Sequence, residues 1–245
     1  MTYLQAGLVC QAFSKWNHAI ALSWLAHDNL CLDNIYRNGT DFIKNKYVPK
    51  LCSGELVGCL GLTEPGAGSD ALGSMKTTAK KEGKNYILNG SKTYITNGAI
   101  ADIILVYAKT DTKKSNKGIS AFVVETKSLG FNVVSKLRKM GYRGSQTAEI
   151  FFDNCKVPEE NMIGNEGTGH ITIMNGLDFE RAMIAPICLG ISQRALEISI
   201  EYAKIREQFG KPISSFQMIQ SKLADMYTMV QSIKGLVYIL SLIHN

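Results

Sequence analysis

The chain has 245 residues, 45% of them hydrophobic, so it can bury a sizeable core and is not a disordered tail. Its 27 Lys and Arg and 21 Asp and Glu give a formal charge of +6 without a long basic block, which argues against nucleic-acid binding. The six cysteines form no CxxC pair and no run of about eighteen apolar residues is present, so neither a metal site, a disulfide framework nor a transmembrane helix is predicted.

The first part of the chain is predicted to be helical. Residues 1–8 lack the basic start of a signal peptide. Apolar residues then recur at helix-like spacing, namely Ala19, Leu22, Trp24 and Leu25. Thr40 is the predicted cap of a later helix that includes Phe42, Ile43 and Tyr47, and Gly54 is its predicted end.

From about Val57 the hydrophobic period changes to that of β-strands. Residues 86–88 and 93–96 flank Asn89 and Gly90, a pattern that predicts a hairpin with a tight turn. Further β-branched and aromatic segments follow, separated by turn residues, at 103–108, 119–124, 131–134 and 149–152. Together they predict an antiparallel sheet domain.

Beyond Gly169 the helical period returns and continues until a break at residues 208–212. A second helix is predicted to begin at Ser214 or Ser215 and to run on to Ile243. One face of it carries Ile219, Leu223, Met226 and Val230. Because this helix still continues near the last residue, we expect a packing partner that the sequence does not include.

The element order is therefore helical, β and helical, which indicates an α+β fold. We predict domains at residues 1–56, 57–165 and 166–245. No GxGxxG follows a strand, so a dinucleotide-binding fold of parallel strands is not expected.

The segment from Leu62 to Asp70, Leu-Thr-Glu-Pro-Gly-Ala-Gly-Ser-Asp, is the densest chemical signal. Its glycines would let the backbone approach a pyrophosphate, and the Ser69 hydroxyl could donate to it. Thr63 could form a hydrogen bond with the polar edge of a ring. An ordinary surface turn explains the same composition equally well.

This segment resembles the signature of the acyl-CoA dehydrogenase family, and the resemblance continues through four later segments in family order. These are residues 94–98 (YITNG), 139–145 (KMGYRGS), 152–158 (FDNCKVP) and 202–211, which opens Tyr-Ala and closes Arg-Glu-Gln-Phe-Gly-Lys. The resemblance covers almost the whole chain but only the middle of the family's length. It implies a family-like fold with partial N-terminal helices, a central antiparallel β domain and a partial C-terminal helical bundle.

The resemblance implies FAD as the cofactor. The residues that it places at the flavin are Leu60, Leu62, Thr63, Gly68, Ser69, Tyr94, Ile95, Thr96, Arg206 and Gln217. Arg206 and Gln217 correspond to residues that reach the FAD of a neighbouring subunit. Tyr94 stands where the family usually has Trp, which keeps a stacking face but reduces its area. Without the resemblance, Tyr94 would be a cross-strand aromatic and Arg206 part of a solvated helix face.

A carboxylate in a dry pocket is the usual base for a proton α to a thioester, because desolvation raises its pKa. Glu180 lies in a charged cluster that interrupts an otherwise apolar helix. A solvated face or a Glu–Arg ion pair would produce the same pattern. The resemblance favours Glu180 as the catalytic base, because the isovaleryl and long-chain branches of the family have their base at this position.

The resemblance also implies a set of substrate-contacting residues, namely Leu22, Ser69, Ile171, Asp178 and Arg181. The segment from Ala21 to Cys31 is most similar to the isovaleryl branch, in which the residue at the position of Leu22 helps to close the acyl pocket. A bulky side chain there favours a short or branched acyl group. His27 is interpreted as a structural residue, since no triad or metal partner lies near it in the sequence.

The implied activity is FAD-dependent α,β-dehydrogenation of a short or branched acyl-CoA such as isovaleryl-CoA, as in leucine catabolism, with electrons passing to electron-transferring flavoprotein. A homotetramer in the mitochondrial matrix or the bacterial cytoplasm is expected. Two alternatives stay open. One is a non-catalytic fragment that binds flavin or acyl-CoA, because the chain begins inside the family's first domain and ends before its last helices. The other is an acyl-CoA oxidase.

Overall fold

The computed structural model describes residues 2–243, and the side chains of residues 2–239. The described helices are α1 (Tyr3–Trp16), α2 (His18–Leu25), a π-helix (Ala26–Asp33), α3 (Asn34–Asn38), α4 (Asp41–Ser53), α5 (Gly169–Ile205) and α6 (Gln217–Ile243). The strands are β1 (Gly58–Gly61), β2 (Thr78–Glu82), β3 (Asn85–Thr96), β4 (Ile103–Lys109), β5 (Ile119–Glu125), β6 (Phe131–Lys136), β7 (Thr147–Pro158), β8 (Met162–Ile163), β9 (Glu207–Gln208) and β10 (Lys211–Pro212).

The predictions for the N-terminal helices are confirmed, and a π-helix is added to them. Thr40 caps α4 by accepting a hydrogen bond from the amide of Ile43 at 3.3 Å. Gly54 ends that helix at a φ of 76°, a conformation in which a residue without a Cβ has no steric cost. The π-helix Ala26–Asp33 continues from α2 and is not predicted by the spacing of apolar residues.

His27 connects this π-helix to two other elements. The amide of Gly58 in β1 donates to its Nδ1 at 3.0 Å, so Nε2 carries the proton and donates to the carbonyl of Leu51 at 3.1 Å. Burial lowers the pKa of His27 from 6.5, although the hydrogen bond to Leu51 partly opposes the effect. Both ring nitrogens thus hold backbone groups, in agreement with a structural role.

Acidification is therefore expected to destabilise the protein through His27. Because its pKa is lower in the folded state than the unfolded value of 6.5, the unfolded state binds more protons, and the free energy of unfolding falls as the pH drops below 6.5. For one proton the slope is at most about 1.4 kcal/mol per pH unit. Urea unfolding of wild type and His27→Gln between about pH 5 and 8 measures the effect.

The neighbouring Asp28 acts in the opposite direction, which makes the comparison with His27→Gln necessary. Burial and the charge of Asp33 raise the pKa of Asp28 to about 6, so the folded state holds this proton more tightly and gains stability on acidification. Asp28 is present in both proteins and cancels in their difference. An identical pH dependence of wild type and His27→Gln would contradict the assignment.

Eight strands form one sheet in the order β6-β7-β3-β2-β4-β5-β8, with β1 also paired to β4. Most neighbours are antiparallel, as predicted. Two pairings are parallel, however: β1 runs along β4, and β2 contacts β4 at Thr78 and Lys109. The predicted antiparallel sheet thus also contains two parallel pairings, both to β4.

The predicted turn at Asn89 and Gly90 is wrong. Residues 85–96 form the single strand β3, which pairs with β7 along its length. A register shift between Leu88 and Gly90 marks a β-bulge, where Gly90 has a φ of 146°. A Cβ at Gly90 would lie 2.6 Å from the Cα of Thr77, so glycine is required by the close approach of β3 to another backbone segment.

The sheet has a hydrophobic core on each face, and β4 contributes to both. Ile104 and Val106 pack in one cluster with residues of β3, β5 and β7. Leu105 and Tyr107 face the other way, into a cluster that includes Ile35, Ile43, Leu51 and Ile173 from the helices. This burial on both faces explains why β4 is a continuous apolar run and not an alternating one.

The C-terminal helices also agree with the predictions. The break after α5 is a small hairpin of β9 and β10, and α6 begins at Gln217 after a 3-10 turn at Ile213–Ser215. Met226 and Val230, on the predicted apolar face, pack against Leu189 and Leu196 of α5. The cluster fixes this side of α6 by hydrophobic burial.

By its internal contacts the chain divides into two compact units. One consists of Met1–Leu22 together with Arg181–Asn245, and the other is Ser23–Glu180. The predicted boundaries after residues 56 and 165 stay a prediction. Most of the predicted site residues lie in Ser23–Glu180; those outside it are Leu22, Arg181, Arg206 and Gln217.

Within the described residues, one helix is long and apolar enough to cross a membrane by length and composition. It is α5, whose most apolar 18-residue window has a mean hydropathy of 1.3 and is 33% buried. Its hydropathy comes from many small and apolar residues between charged ones and not from an uninterrupted run, which is why the sequence did not predict a membrane span. A partly buried core helix has the same composition, so this observation is weak evidence for a membrane span.

Candidate active site

The segment that begins at Leu62 forms a loop tied to β3. The amide of Thr93 donates to the carbonyl of Thr63 at 2.9 Å, which places Thr63 beside the end of β3. Glu64 and Ala67 exchange two backbone hydrogen bonds of 3.1 and 3.0 Å, which close a tight turn between them. The loop therefore has a fixed backbone at its start, where the predicted flavin contacts lie.

Asp70 organises the second half of this loop. Its carboxylate accepts hydrogen bonds from the Gly73 amide at 3.2 Å and from the hydroxyl of Ser74. The amide of Ser74 also donates to the Asp70 carbonyl at 3.0 Å. Asp70 is thus a turn residue, and Gly68 and Ser69 stay exposed immediately before it.

A buried ion pair lies beneath the loop. The Lys92 ammonium, fully buried, is 2.9 Å from the carboxylate of Glu64, which is only 6% exposed. Burial raises the pKa of Glu64, but the charge of Lys92 and hydrogen bonds from the loop outweigh this effect and lower it overall. Burial lowers the pKa of Lys92, and the Glu64 carboxylate opposes that shift. The two groups therefore stabilise each other in their charged forms.

The predicted ring-contacting segment of β3 has an irregular backbone. A second register shift against β7 lies between Lys92 and Ile95, and Tyr94 has a φ of 57°, which is rare for a bulky residue. The Tyr94 ring is consequently 71% exposed, whereas Ile95 turns into the core at 3%. Ile95 can therefore face a cofactor only with its backbone. Thr96 is half-buried and pairs with Thr147.

A narrow apolar cleft opens beside the same loop. Its lining comes from the N-terminal helices, the sheet, the loop and α5, and consists of Leu30, Asn34, Leu60, Leu62, Tyr107, Ile173, Gly176 and Leu177. The free volume of about 10 Å³ is roughly that of one water molecule. Leu60 and Leu62, predicted flavin neighbours, thus share a wall with α5.

At Gly176, α5 approaches the Asn34 side chain closely. A Cβ at this position would lie 2.7 Å from the amide atoms of Asn34. The Asn34 side chain donates to the carbonyl of Leu30 at 3.0 Å and is buried. Asn34 therefore forms a polar wall of an otherwise apolar cleft.

Helical spacing relates Glu180 to the residues of α5 that line the cleft. Residues three, four and seven positions apart share one face of a helix, and Ile173, Gly176 and Leu177 line the cleft. Glu180 continues that face by one turn, and its side chain is half-buried. The cleft lining itself ends at Leu177, so Glu180 lies one helical turn beyond the residues that form the cleft.

The other predicted substrate and cofactor residues are less closely grouped. Ile171, at the start of α5, is 50% exposed, and Asp178 is also exposed. In the unit formed by Met1–Leu22 and Arg181–Asn245, Leu22 is half-buried in α2, whereas Arg181, Arg206 and Gln217 are exposed. The structure of each unit alone does not bring these residues to one site.

Sequence reasoning missed the contributions of Lys92, Glu64 and Asn34. Tyr86 and Leu88 are buried at alternate positions of β3. If this alternation is extended to position 92, it places Lys92 on the buried face. The predicted turn at Gly90 interrupted that count. Asn34 had no sequence signal, because its role depends on the packing of Gly176.

Comparison with known proteins assigns the family. Three family models match the chain: the N-terminal domain of acyl-CoA dehydrogenase over residues 1–55, the middle domain over 59–155 and the C-terminal domain over 167–242. Together they account for almost the whole sequence. The chain belongs to the acyl-CoA dehydrogenase family. The resemblance of the five motif segments is thereby confirmed.

Individual acyl-CoA dehydrogenases support the assignment. The chain is 50% identical over 236 residues to isovaleryl-CoA dehydrogenase, mitochondrial, of Arabidopsis thaliana, covering 96% of this chain and 58% of the relative. Butyryl-CoA dehydrogenase from Megasphaera elsdenii superimposes with a TM-score of 0.94 at 43% identity, covering 97% and 62% of the two chains. These similarities confirm the α+β fold of the family.

A structure of PigA with FAD and proline shares the fold as well. It has a TM-score of 0.94 and 33% identity, and the match covers 100% of this chain and 64% of that one. The chain thus spans about three fifths of the length of the proteins it matches.

Proposed function

We propose that the protein is an acyl-CoA dehydrogenase that uses FAD to form a double bond between the α and β carbons of a short or branched acyl-CoA. The observation that carries the proposal is the position of Glu180. It extends the cleft-lining face of α5 and is half-buried. A half-buried carboxylate one turn beyond an apolar cleft is suited to removing a proton α to a thioester.

The loop and the end of β3 fit a flavin. The exposed Tyr94 ring and the half-buried Thr63 and Thr96 offer a stacking face and two hydroxyls. A Cβ at Gly68 would meet nothing within 4 Å, so the loop backbone is open to a diphosphate there. When bound, FAD supplies the hydride acceptor for the β carbon.

The residues of this chain would then act on the acyl group and exclude water from it. Glu180 would take the α proton, and the apolar wall of Leu60, Leu62 and Leu177 would face the acyl group and exclude water from it. The Thr63 and Thr96 hydroxyls would hold the ring edge. Ser69, Ile171, Asp178, Arg181 and Leu22 would contact the substrate.

A short acyl group is the best match. The named relatives carry isovaleryl-CoA and butyryl-CoA in their names, and both acyl groups are short. Isovaleryl-CoA is therefore the first substrate to test.

We also propose a homotetramer that passes electrons to electron-transferring flavoprotein. In such an assembly Arg206 and Gln217 would reach the FAD of an adjoining subunit, since the guanidinium of Arg206 is exposed and suited to a diphosphate. Relatives include mitochondrial and bacterial proteins, which supports the mitochondrial matrix or the bacterial cytoplasm as the location.

Spectroscopy of the purified protein tests the proposal. We expect bound flavin with a yellow absorbance that isovaleryl-CoA bleaches without oxygen. Colourless protein that still binds CoA would instead establish a non-catalytic fragment. Oxygen consumption in the absence of another electron acceptor would show an acyl-CoA oxidase.

A further inference from the structure

The Lys92–Glu64 ion pair is buried, where the loss of hydration makes an ion pair an expensive way to stabilise a fold. Both side chains are removed from water, the lysine completely. Desolvation of two charges commonly cancels their attraction, so an apolar pair of similar size stabilises a fold as well or better. The contacts of the pair therefore indicate what else it does.

Glu64 closes the loop. Its carboxylate accepts hydrogen bonds from the amide of Lys76 at 2.7 Å and from that of Thr77 at 3.0 Å. These amides lie at the far end of the loop, 12 and 13 residues beyond Glu64. One carboxylate thus joins both ends of the loop, and the Lys92 ammonium neutralises it.

Lys92 holds the start of the loop through a second hydrogen bond. Its ammonium donates to the carbonyl of Leu62 at 3.1 Å. The next carbonyl, that of Thr63, is held by the amide of Thr93. Two consecutive peptide units are therefore oriented by β3, the first by a side chain and the second by the backbone.

The orientation of the Leu62 carbonyl determines where the Thr63 amide points. The peptide is trans, so its N–H lies on the opposite side from its carbonyl. With the carbonyl directed at the buried Lys92 ammonium, the Thr63 N–H is directed away from that ammonium. The Lys92 contact thus fixes the direction of a hydrogen-bond donor at the residue that the family motif places beside the flavin ring.

We propose that Lys92 is a positioning residue for the flavin, which fixes the Leu62–Thr63 peptide so that the Thr63 amide and hydroxyl meet the polar edge of the ring together. This inference rests on the proposed function. It assigns to the ion pair a role in cofactor affinity that is separate from its role in folding.

A double variant separates the two roles. Lys92→Met alone would leave the Glu64 carboxylate buried and unpaired, whereas Lys92→Met/Glu64→Gln removes both charges. We expect the double variant to fold with a melting temperature close to that of wild type. Its apoprotein should nevertheless bind FAD at least about tenfold more weakly, because the Leu62 carbonyl has lost its charged donor.

Titration of apoprotein with FAD, followed by flavin fluorescence, measures the dissociation constant. Tyr86→Phe is the matched control, since it removes the 3.1 Å hydrogen bond of another buried β3 side chain to Glu166, at the opposite end of the strand. Its FAD affinity should equal that of wild type. An affinity of the double variant within about twofold of wild type would overturn the proposal.

Lys92→Arg is a second test of the positioning role, and it can be used even if the double variant does not fold. An arginine retains a charged donor for Leu62 and Glu64, so its FAD affinity should be within about threefold of wild type. A tenfold loss despite the retained donor would also overturn the proposal. If wild-type apoprotein itself bound no FAD, the proposed function would fail and not the positioning role alone.

Discussion

Glu180→Gln is expected to abolish the bleaching of bound flavin by isovaleryl-CoA while the flavin stays bound. The amide has nearly the size of the carboxylate but cannot accept the α proton. Loss of a general base typically lowers the rate by about 10²–10⁴-fold. Stopped-flow absorbance under anaerobic conditions measures the rate, and the ratio of flavin to protein absorbance measures cofactor retention.

Glu201→Gln is the matched control, because Glu201 lies on the same helix and is exposed. We expect its bleaching rate to equal that of wild type. Bleaching by Glu180→Gln at the wild-type rate would remove this residue from the mechanism. Loss of flavin from Glu180→Gln would show instead that the carboxylate supports the fold around the cofactor.

Gly90→Ala is expected to lower the free energy of unfolding by about 2–5 kcal/mol. The methyl group would lie 2.6 Å from the Thr77 backbone, and the φ of 146° is unfavourable for any residue with a Cβ. Because Thr77 also donates its amide to Glu64, we expect flavin affinity to fall together with stability. Urea unfolding followed by circular dichroism gives the free energy.

Gly235→Ala is the control substitution, for which we expect a change in stability of the opposite sign. Gly235 lies inside α6, and a Cβ added there would meet nothing within 4 Å, so alanine adds helix propensity without a collision. We expect it to raise the free energy of unfolding by up to about 1 kcal/mol. Equal effects of the two substitutions would contradict the close approach of β3 and Thr77.

The elements with local signals were predicted well. The cap at Thr40, the end at Gly54 and the apolar run of β4 all depend on residues close together in the sequence. The family motifs are contiguous for the same reason. Both the α+β order and the candidate base Glu180 could thus be read without coordinates.

The error at Gly90 shows where local reasoning fails. Asn-Gly between two β-like segments usually indicates a hairpin, because a tight turn requires a positive φ. Here the positive φ belongs to a bulge, and β3 continues past it to pair with β7, whose residues are distant in the sequence. With the strand divided in two, the inward position of Lys92 could not be inferred.

By itself, the sequence determined the family, the order of the elements and the identity of the chemical groups, because these are encoded by residues near one another along the chain. The tertiary structure decided which of those groups are buried and what they hold. Burial of Lys92 beneath the loop, the approach of Gly176 to Asn34 and the cleft between the sheet and α5 all arise from segments far apart in sequence. Local periodicity carries no information about such partners, so only packing could select them.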